Sequence, residues 1–288
     1  MNNVVNLTDD EKTMVVHKKA TCPFISAAVA QGHLAVRNNA NNPLAAIEDV
    51  KNLGDSGGGH LGDVLELFAN GNHAFMRSES GELNKPVPDG LFSLEFPGSQ
   101  GSHTGHSGIL QGDPTTLDSG RLDNDNFARL ISRAKNGLIK RSDVGRFIAE
   151  NVFRDPKSKV RGGDDASQSR AFFELMRDIT LIVVNIFGDD VDHRDVQQRF
   201  TKVAAEDNLA GSAGEFGLLF AFLKNKPGAN ELDGEPALAV EDLKLMFIEK
   251  QLPAGWQTWE KSAFDWVRNT KALEASAREE YQRLKQAK

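Results

Sequence analysis

The chain contains a single cysteine, Cys22, and this residue lies directly before a predicted helix. Pro23 has the fixed backbone angle that is favoured at a first helical position, and Gly32 is a typical helix stop. A single cysteine excludes internal disulfide bonds, so the 288-residue chain must be held together by a hydrophobic core. Hydrophobic residues make up 39% of the sequence, which is enough for a core of that kind.

The position of Cys22 at a helix N-terminus suggests a chemical role. The unpaired N–H groups of the first turn and the positive end of the helix dipole both favour a thiolate over a thiol. A thiolate is a good ligand for haem iron. A lone cysteine is more often a small buried hydrophobic residue, however, so both interpretations stay open on the local sequence alone.

The charge of the chain limits its partners. A net charge of -7 argues against nucleic acid or an anionic membrane surface as the main partner and favours a small molecule. No apolar window is long enough for a membrane span, and the first residues lack the basic and apolar regions of a signal peptide. We therefore expect a cytoplasmic protein.

Two segments of the chain resemble one known family. The Cys-Pro helix start with the following Gly32-His33-Leu34, and the segment from Phe247 to Trp256, resemble the haem-thiolate peroxidases, the family of chloroperoxidase and the unspecific peroxygenases. The resemblance implies an all-α, single-domain fold with long irregular loops. It divides the chain into an N-terminal extension (1–20), a peroxidase-like domain (21–268) and a charged C-terminal helix (269–288).

The same resemblance implies a cofactor and an activity. Cys22 would bind haem b through an iron–sulfur bond, and Glu215 would be the acid–base residue on the opposite side of the ring. Phe216 is expected to contact the cofactor, with Phe220 as plausible channel lining. The implied reaction uses hydrogen peroxide, proceeds through a ferryl intermediate and oxidises or oxygenates a small apolar or aromatic organic substrate.

The local sequence gives Glu215 two interpretations. A glutamate at the start of an apolar helix is ordinarily explained by the helix dipole, and the alternative is a desolvated acid that exchanges a proton near neutral pH. The resemblance favours the second. Family members often have an arginine before this glutamate where the present chain has Asn208. The missing charge could come from another residue; the candidates are Arg170, Arg177, Arg199 and a loop histidine.

A third segment resembles the metal site of the family. Gln111-Gly112-Asp113 with Thr115 matches an acidic triplet that binds magnesium beside a haem propionate, with Gln in place of Glu and Thr in place of Ser. The lost carboxylate weakens the case for Mg²⁺, which prefers carboxylate oxygens. An ordinary turn in which Asp113 caps its own backbone is equally consistent. His103 and His106 lack an obvious third ligand for a zinc site.

Other patterns predict local structure. The glycine-rich run from Gly54 to His60 lacks the ending of a phosphate-binding loop and is interpreted as a flexible connection. A helix is predicted to restart at Leu44, and the run from Asp123 to Asn126 is predicted to cap a helix that spans residues 127–133. Residues 80–118 show little periodicity and are predicted to be irregular. Two other functions stay open: a haem-binding sensor or carrier without peroxidase turnover, and a haem-free helical binding module.

Overall fold

A computed structural model describes residues 3–95, 109–110, 120–156, 158–160, 207–228 and 230–288. Several residues named above lie outside these ranges: Gln111, Gly112, Asp113, Thr115, His103, His106, Arg170, Arg177 and Arg199. The predicted magnesium site and the predicted arginine partners of Glu215 therefore stay predictions.

Nine α-helices lie in the described ranges. They are α1 (Asp9–Met14), α2 (Pro23–Ala30), α3 (Ile47–Asp55), α4 (Leu61–Asn72), α5 (Asn124–Ile131), α6 (Arg141–Arg154), α7 (Asn208–Leu223), α8 (Val240–Phe247) and α9 (Ala263–Gln286). A π-helical turn, Val15–Lys19, follows α1, and a 3₁₀ turn, Trp256–Thr258, precedes α9.

Eight short strands form three small antiparallel sheets in the same ranges. They are β1 (Arg37–Asn39), β2 (Asn42–Ala46), β3 (Phe75–Arg77), β4 (Leu83–Pro86), β5 (Leu91–Ser93), β6 (Leu138–Lys140), β7 (Glu231–Leu232) and β8 (Glu235–Ala239). The strand orders are β1-β2-β5, β3-β4 and β6-β8-β7. In the first sheet Ala45 pairs with Phe92, and in the third Ile139 pairs with Leu238.

These sheets make the predicted all-α fold class wrong, because the fold is mixed, with 52% helix and 16% strand among the described residues. The strands are two to five residues long, too short for alternation of polar and apolar residues to be visible in the sequence. Two of them, β4 and β5, lie in the segment that was predicted to be irregular. The predicted helix from Leu44 is also wrong at its start, because Asn42–Ala46 is strand β2 and α3 begins at Ile47.

Two predicted helix starts are confirmed. Cys22 is the N-cap of α2, with Pro23 as its first residue, and Gly32 follows the helix with a φ of +76°. The carboxylate of Asp123 accepts a hydrogen bond from the backbone N–H of Asn126 at 2.9 Å, so it caps α5 as expected. Local signals were sufficient here because capping involves only neighbouring residues.

The centre of the fold is a packed group of three helices, α6, α7 and α9. A Cβ atom on Gly217 of α7 would lie only 2.2 Å from the Thr270 hydroxyl of α9, so the two helices need glycine to approach this closely. The indole N–H of Trp266 donates to the Gly214 carbonyl at 3.0 Å. This bond fixes α7 directly before Glu215.

The glycine run between α3 and α4 is not a flexible connection, so that prediction is wrong. The backbone N–H of Lys261 donates to the Gly58 carbonyl at 3.0 Å, and that of Ala263 donates to the Gly59 carbonyl at 2.9 Å. A Cβ atom on Gly57 would lie 2.0 Å from the Trp259 carbonyl oxygen. The glycines are needed because the 259–263 segment passes directly against their backbone.

No helix in the described ranges combines the length and the apolar character that crossing a bilayer requires.

Candidate functional site

Five helices and their caps enclose a pocket of about 420 Å³, a volume that includes its opening to solvent. Cys22 and Glu215, which are distant in the sequence, both line it. The other lining residues are Pro23, Phe24, Gly54, Leu61, Leu65, Leu218, Leu219, Phe222 and Met246. The wall is almost wholly apolar apart from one thiol and one carboxyl group.

The backbone before Cys22 is held firmly from outside α2. The ammonium of Lys19 forms an ion pair with Glu95 at 3.0 Å, and Arg77 pairs with the same carboxylate at 2.8 Å. All three side chains are almost fully buried. The Thr21 N–H donates to the Leu94 carbonyl at 3.2 Å. These bonds hold the backbone one to three residues before Cys22.

The charge state predicted for Cys22 is wrong for the protein without a bound cation. Burial raises the pKa of the Cys22 thiol to about 11, and the negative charge of Glu215 acts in the same direction. The backbone N–H groups of Ile25 and Phe24 lower the pKa of the thiol, as expected at a helix N-terminus. The Cys22 side chain nevertheless forms no capping hydrogen bond. Desolvation of the sulfur thus outweighs the helix terminus and disfavours the thiolate, although the residue as a whole is only partly buried.

Glu215 lies well inside α7 rather than at its start. The helix begins seven residues earlier, at Asn208, where the Asp207 carboxylate accepts from the backbone N–H groups of Leu209 and Ala210. The dipole interpretation of Glu215 therefore does not apply, because that effect is confined to the first turn. Glu215 is 8% exposed. It shares one face of α7 with Leu218, Leu219 and Phe222, the helical spacing that lines the pocket.

The second family-like segment packs directly on the cysteine helix. The Leu252 N–H donates to the Gln31 side-chain oxygen at 3.0 Å, at the end of α2. The Trp256 ring lies edge-on to Phe24, with their centroids 5.8 Å apart. The two segments quoted for the resemblance are therefore in contact, at the wall of the pocket that Cys22 and Glu215 share.

Other predicted residues are placed elsewhere. Phe216 is fully buried and Phe220 almost so, and neither belongs to the pocket lining, because they lie one and five positions after Glu215 and face away from it. Asn208 has a structural role in place of the expected arginine. Its side-chain oxygen accepts from the Lys159 N–H at 2.6 Å, which ties α7 to the segment that follows α6.

Sequence reasoning missed several residues near the pocket. Gly54, Leu61 and Leu65 come from α3 and α4, and Met246 comes from α8. Outside the lining, Lys250 of the second family-like segment was missed too, and it is 3% exposed. Burial lowers the pKa of this lysine to about 8, and Cys22 opposes that change. For Gly54, Leu61 and Leu65 the available signal was the glycine run, which forms the turn between α3 and α4.

The donor type in the pocket suits a haem iron. A single soft sulfur lies in an apolar wall, and metal binding would displace the thiol proton. In the part of the chain that the structure describes, no group of three or more His, Cys, Asp or Glu side chains could hold a metal ion by itself.

Comparisons with models of protein families, with curated proteins and with solved structures give no match. The resemblance to the haem-thiolate peroxidases rests on the quoted segments.

Proposed function

We propose that this protein binds haem b in the pocket, with Cys22 as the axial ligand, and acts as a hydrogen-peroxide-dependent peroxidase or peroxygenase. One observation carries the proposal. Cys22 and Glu215 were selected from separate sequence motifs, and they line one apolar pocket. A protein of this class needs a ligand on one side of its site and an acid–base group in the same enclosure.

The residues of the chain would each have a definite task. Bound haem would supply an iron that takes up hydrogen peroxide and cleaves its O–O bond. The Cys22 sulfur would give up its proton on binding the metal. The Glu215 carboxylate would accept a proton from a peroxide hydroxyl and return it to the departing oxygen. Leu218, Leu219 and Phe222 would exclude water beside it.

The apolar wall also supports the proposed substrate class. Hydrophobic side chains dominate the lining, so a small, uncharged organic molecule would lose little solvation on entering. A charged substrate would find only the carboxyl group of Glu215 there, since the Cys22 sulfur would hold the iron. We propose an apolar or aromatic substrate for this reason.

A second candidate is a haem-free module that binds a small apolar molecule. The observation in its favour is the raised pKa of the Cys22 thiol, about 11, which keeps the sulfur neutral and apolar in the absence of a cation. In that case the pocket would bind its ligand by burial alone, and Cys22 would be one more wall residue.

Peroxide turnover after reconstitution with haem tests the enzyme assignment. The wild type should oxidise a generic aromatic donor, and Glu215→Gln should lower kcat by about 100-fold or more while the haem spectrum is retained, because one proton-transfer group is lost. Glu274→Gln is the matched control, since Glu274 is also a buried helical glutamate, in α9, but does not line the pocket.

Two results would overturn parts of this assignment. Equal turnover in wild type and Glu215→Gln would show that Glu215 is not the acid–base residue. Stable haem binding with no turnover in the wild type would leave a haem sensor or carrier as the function.

A further inference from the structure

One arginine lies between two buried carboxylates where the start of α7 meets α9. The Arg278 guanidinium lies 2.5 Å from Oδ2 of Asp207 and 2.6 Å from Oε1 of Glu274. Only 4% of the Asp207 side chain and 3% of the Glu274 side chain are exposed to solvent. When both carboxylates are ionised, these three side chains carry two negative charges and one positive charge. Burying the excess charge costs free energy, and a proton on one carboxylate removes that cost.

Hydrogen bonding shows which carboxylate is the better site for this proton. Asp207 accepts from the backbone N–H groups of Leu209 and Ala210 at 3.1 and 3.3 Å, in addition to its contact with Arg278. Within the described residues, Oε2 of Glu274 is buried and has no hydrogen-bond partner. Donors stabilise a negative charge, so the charge is better placed on Asp207 and the proton on Glu274.

The charged groups around Glu274 are few. In the described ranges, burial raises the pKa of Glu274 to about 7, Arg278 opposes this change and Asp207 adds to it. Lys271 is the other charged residue of α9 within four positions, and α7 adds only Glu215, which lines the pocket. The charged side chains of the other helices packed on α9 have partners elsewhere: on α6, Arg141 donates to Asn269, Arg146 to Asp143 and Arg154 to Asn126, and Glu150 accepts from Arg129 and Arg133; on α4, Asp63 and Glu66 pair with Lys51.

The same three side chains hold the start of α7. Asp207 is the N-cap residue of this helix, and its carboxylate satisfies N–H groups that the first turn leaves without partners. Arg278 connects this cap to α9. The next two turns lead directly to Glu215, and each backbone N–H there depends on a carbonyl four residues earlier. The cap therefore supports the helix that supplies Glu215, Leu218 and Phe222 to the pocket.

We propose that Asp207, Arg278 and Glu274 form a proton-controlled latch, which fastens the first two turns of α7 to α9 when Glu274 is protonated and loosens them when Glu274 is ionised. The latch regulates the pocket, and the inference rests on the proposed function in treating that pocket as the haem site. With Glu274 protonated, the charge of Arg278 is balanced by Asp207. With Glu274 ionised, two carboxylates compete for one guanidinium, and water can relieve the excess charge only if the interface opens.

The direction of the pH response follows from the two states of Glu274. Its pKa is about 7 in the closed interface and returns towards the ordinary value of 4.5 when water enters. Opening therefore releases a proton. The latch is strongest below pH 4.5, weakens as the pH rises through about 7, and weakens no further above that pH.

Amide hydrogen exchange of the haem-free protein tests the latch. The readout is the protection factor of the amides from Leu209 to Glu215, in which the intrinsic pH dependence of exchange is already removed. In the wild type this factor should fall by about tenfold or more between pH 5.5 and pH 8. Glu274→Gln should keep the higher value at both pH values, since glutamine does not ionise. Asp207→Asn should also abolish the fall, because Arg278 then balances Glu274 alone while asparagine still caps the helix.

Glu280→Gln is the matched control for this measurement. Glu280 is a buried glutamate of the same helix, but both of its oxygens accept from Arg283, at 2.8 and 2.6 Å. It should show the same fall as the wild type. An unchanged protection factor in the wild type, or an equal fall in Glu274→Gln, would overturn the inference. Should Glu274→Gln fail to fold, Asp207→Asn decides the question, and a fall equal to that of the wild type would again overturn it.

Haem affinity at two pH values separates this inference from the proposed function. At pH 8 the wild type should bind haem about threefold or more weakly than Glu274→Gln, and at pH 6 the two should be equal, because the latch is then closed in both. Equal affinities at pH 8 would show that the latch does not regulate the pocket. If neither protein binds haem while the protection factors change as expected, the proposed function is wrong and the latch stands. At pH 6 Glu274→Gln also remains a fair control for Glu215→Gln.

Discussion

At the scale of single residues, the position of Cys22 in its helix could be predicted from the sequence, but the charge state of its sulfur could not. The sequence placed Cys22 at a helix N-cap correctly, because Pro23 and Gly32 are local signals. It predicted a thiolate, whereas burial raises the pKa of the thiol to about 11. Burial depends on which helices cover the sulfur, and α4, α7 and α8 are distant in the sequence. The desolvation of the Cys22 sulfur therefore cannot be predicted from the neighbouring sequence.

Glu274 gives a prediction for stability against pH. Burial raises its pKa from 4.5 to about 7, although Arg278 donates to its Oε1 at 2.8 Å. The folded state thus keeps a proton that the unfolded chain releases. Its stabilising contribution is complete below pH 4.5 and is lost as the pH rises through about 7. Glu274→Gln cannot titrate, so this part of the pH dependence should disappear.

Denaturant unfolding at pH 5 and pH 8 measures the effect. Between these pH values the wild type should lose about 2–3 kcal/mol more of its free energy of unfolding than Glu274→Gln loses, at about 1.4 kcal/mol per pKa unit. The same loss in both proteins would show that Glu274 is ionised in the folded state at neutral pH.

At the scale of elements, glycine was the residue type most easily misinterpreted. The run Gly57-Gly58-Gly59 suggested flexibility, but the segment before α9 packs against it. In α7, Gly211, Gly214 and Gly217 obscured the helix start, so Glu215 was placed at the N-terminus of an element that begins at Asn208. Close contact with α9 requires a small residue at Gly217, and this contact cannot be predicted from the sequence of α7 alone.

Alanine substitutions at Gly57 and Gly58 separate the free-energy cost of close packing from the cost of the left-handed backbone. Both residues have positive φ values, +81° and +86°, so both substitutions should cost about 1 kcal/mol for the left-handed backbone. A Cβ atom at Gly58 meets nothing within 4 Å, whereas one at Gly57 would lie 2.0 Å from the Trp259 carbonyl oxygen. Gly57→Ala should therefore cost a further 1–3 kcal/mol, approximately the cost of overpacking.

Chemical denaturation of the two variants provides the comparison. Equal free energies of unfolding for Gly57→Ala and Gly58→Ala would mean that the loop moves away from the 259–263 segment without cost, as a flexible connection would.

At the scale of the whole molecule, the helical framework was largely predictable and the sheets were not. Asp233-Gly234, with φ values of +54° and +78°, joins β7 to β8, and Asn136-Gly137 precedes β6. These dipeptides are strong hairpin signals that could have corrected the all-α prediction. The pairing of β6 with β8 could not be foreseen, because nearly a hundred residues separate them.

The arrangement of the pocket is also a property of the whole chain. Its walls come from segments near residues 22, 54, 61, 215 and 246, which no local pattern connects. Family-like motifs selected Cys22 and Glu215 but also selected Phe216, which lies outside the lining. A sequence motif identifies the turn of a helix that lies at the pocket. Which residues of that turn face the pocket depends on tertiary packing.

The absorption spectrum of the reduced, carbon-monoxide-bound protein after haem loading tests the central claim most directly. Thiolate ligation shifts the main haem band to a distinctly longer wavelength than histidine ligation does, so the wild type should show the shifted band and Cys22→Ser should lose it. Identical spectra in wild type and Cys22→Ser, or no haem bound by the wild type, would contradict an iron–sulfur bond at Cys22.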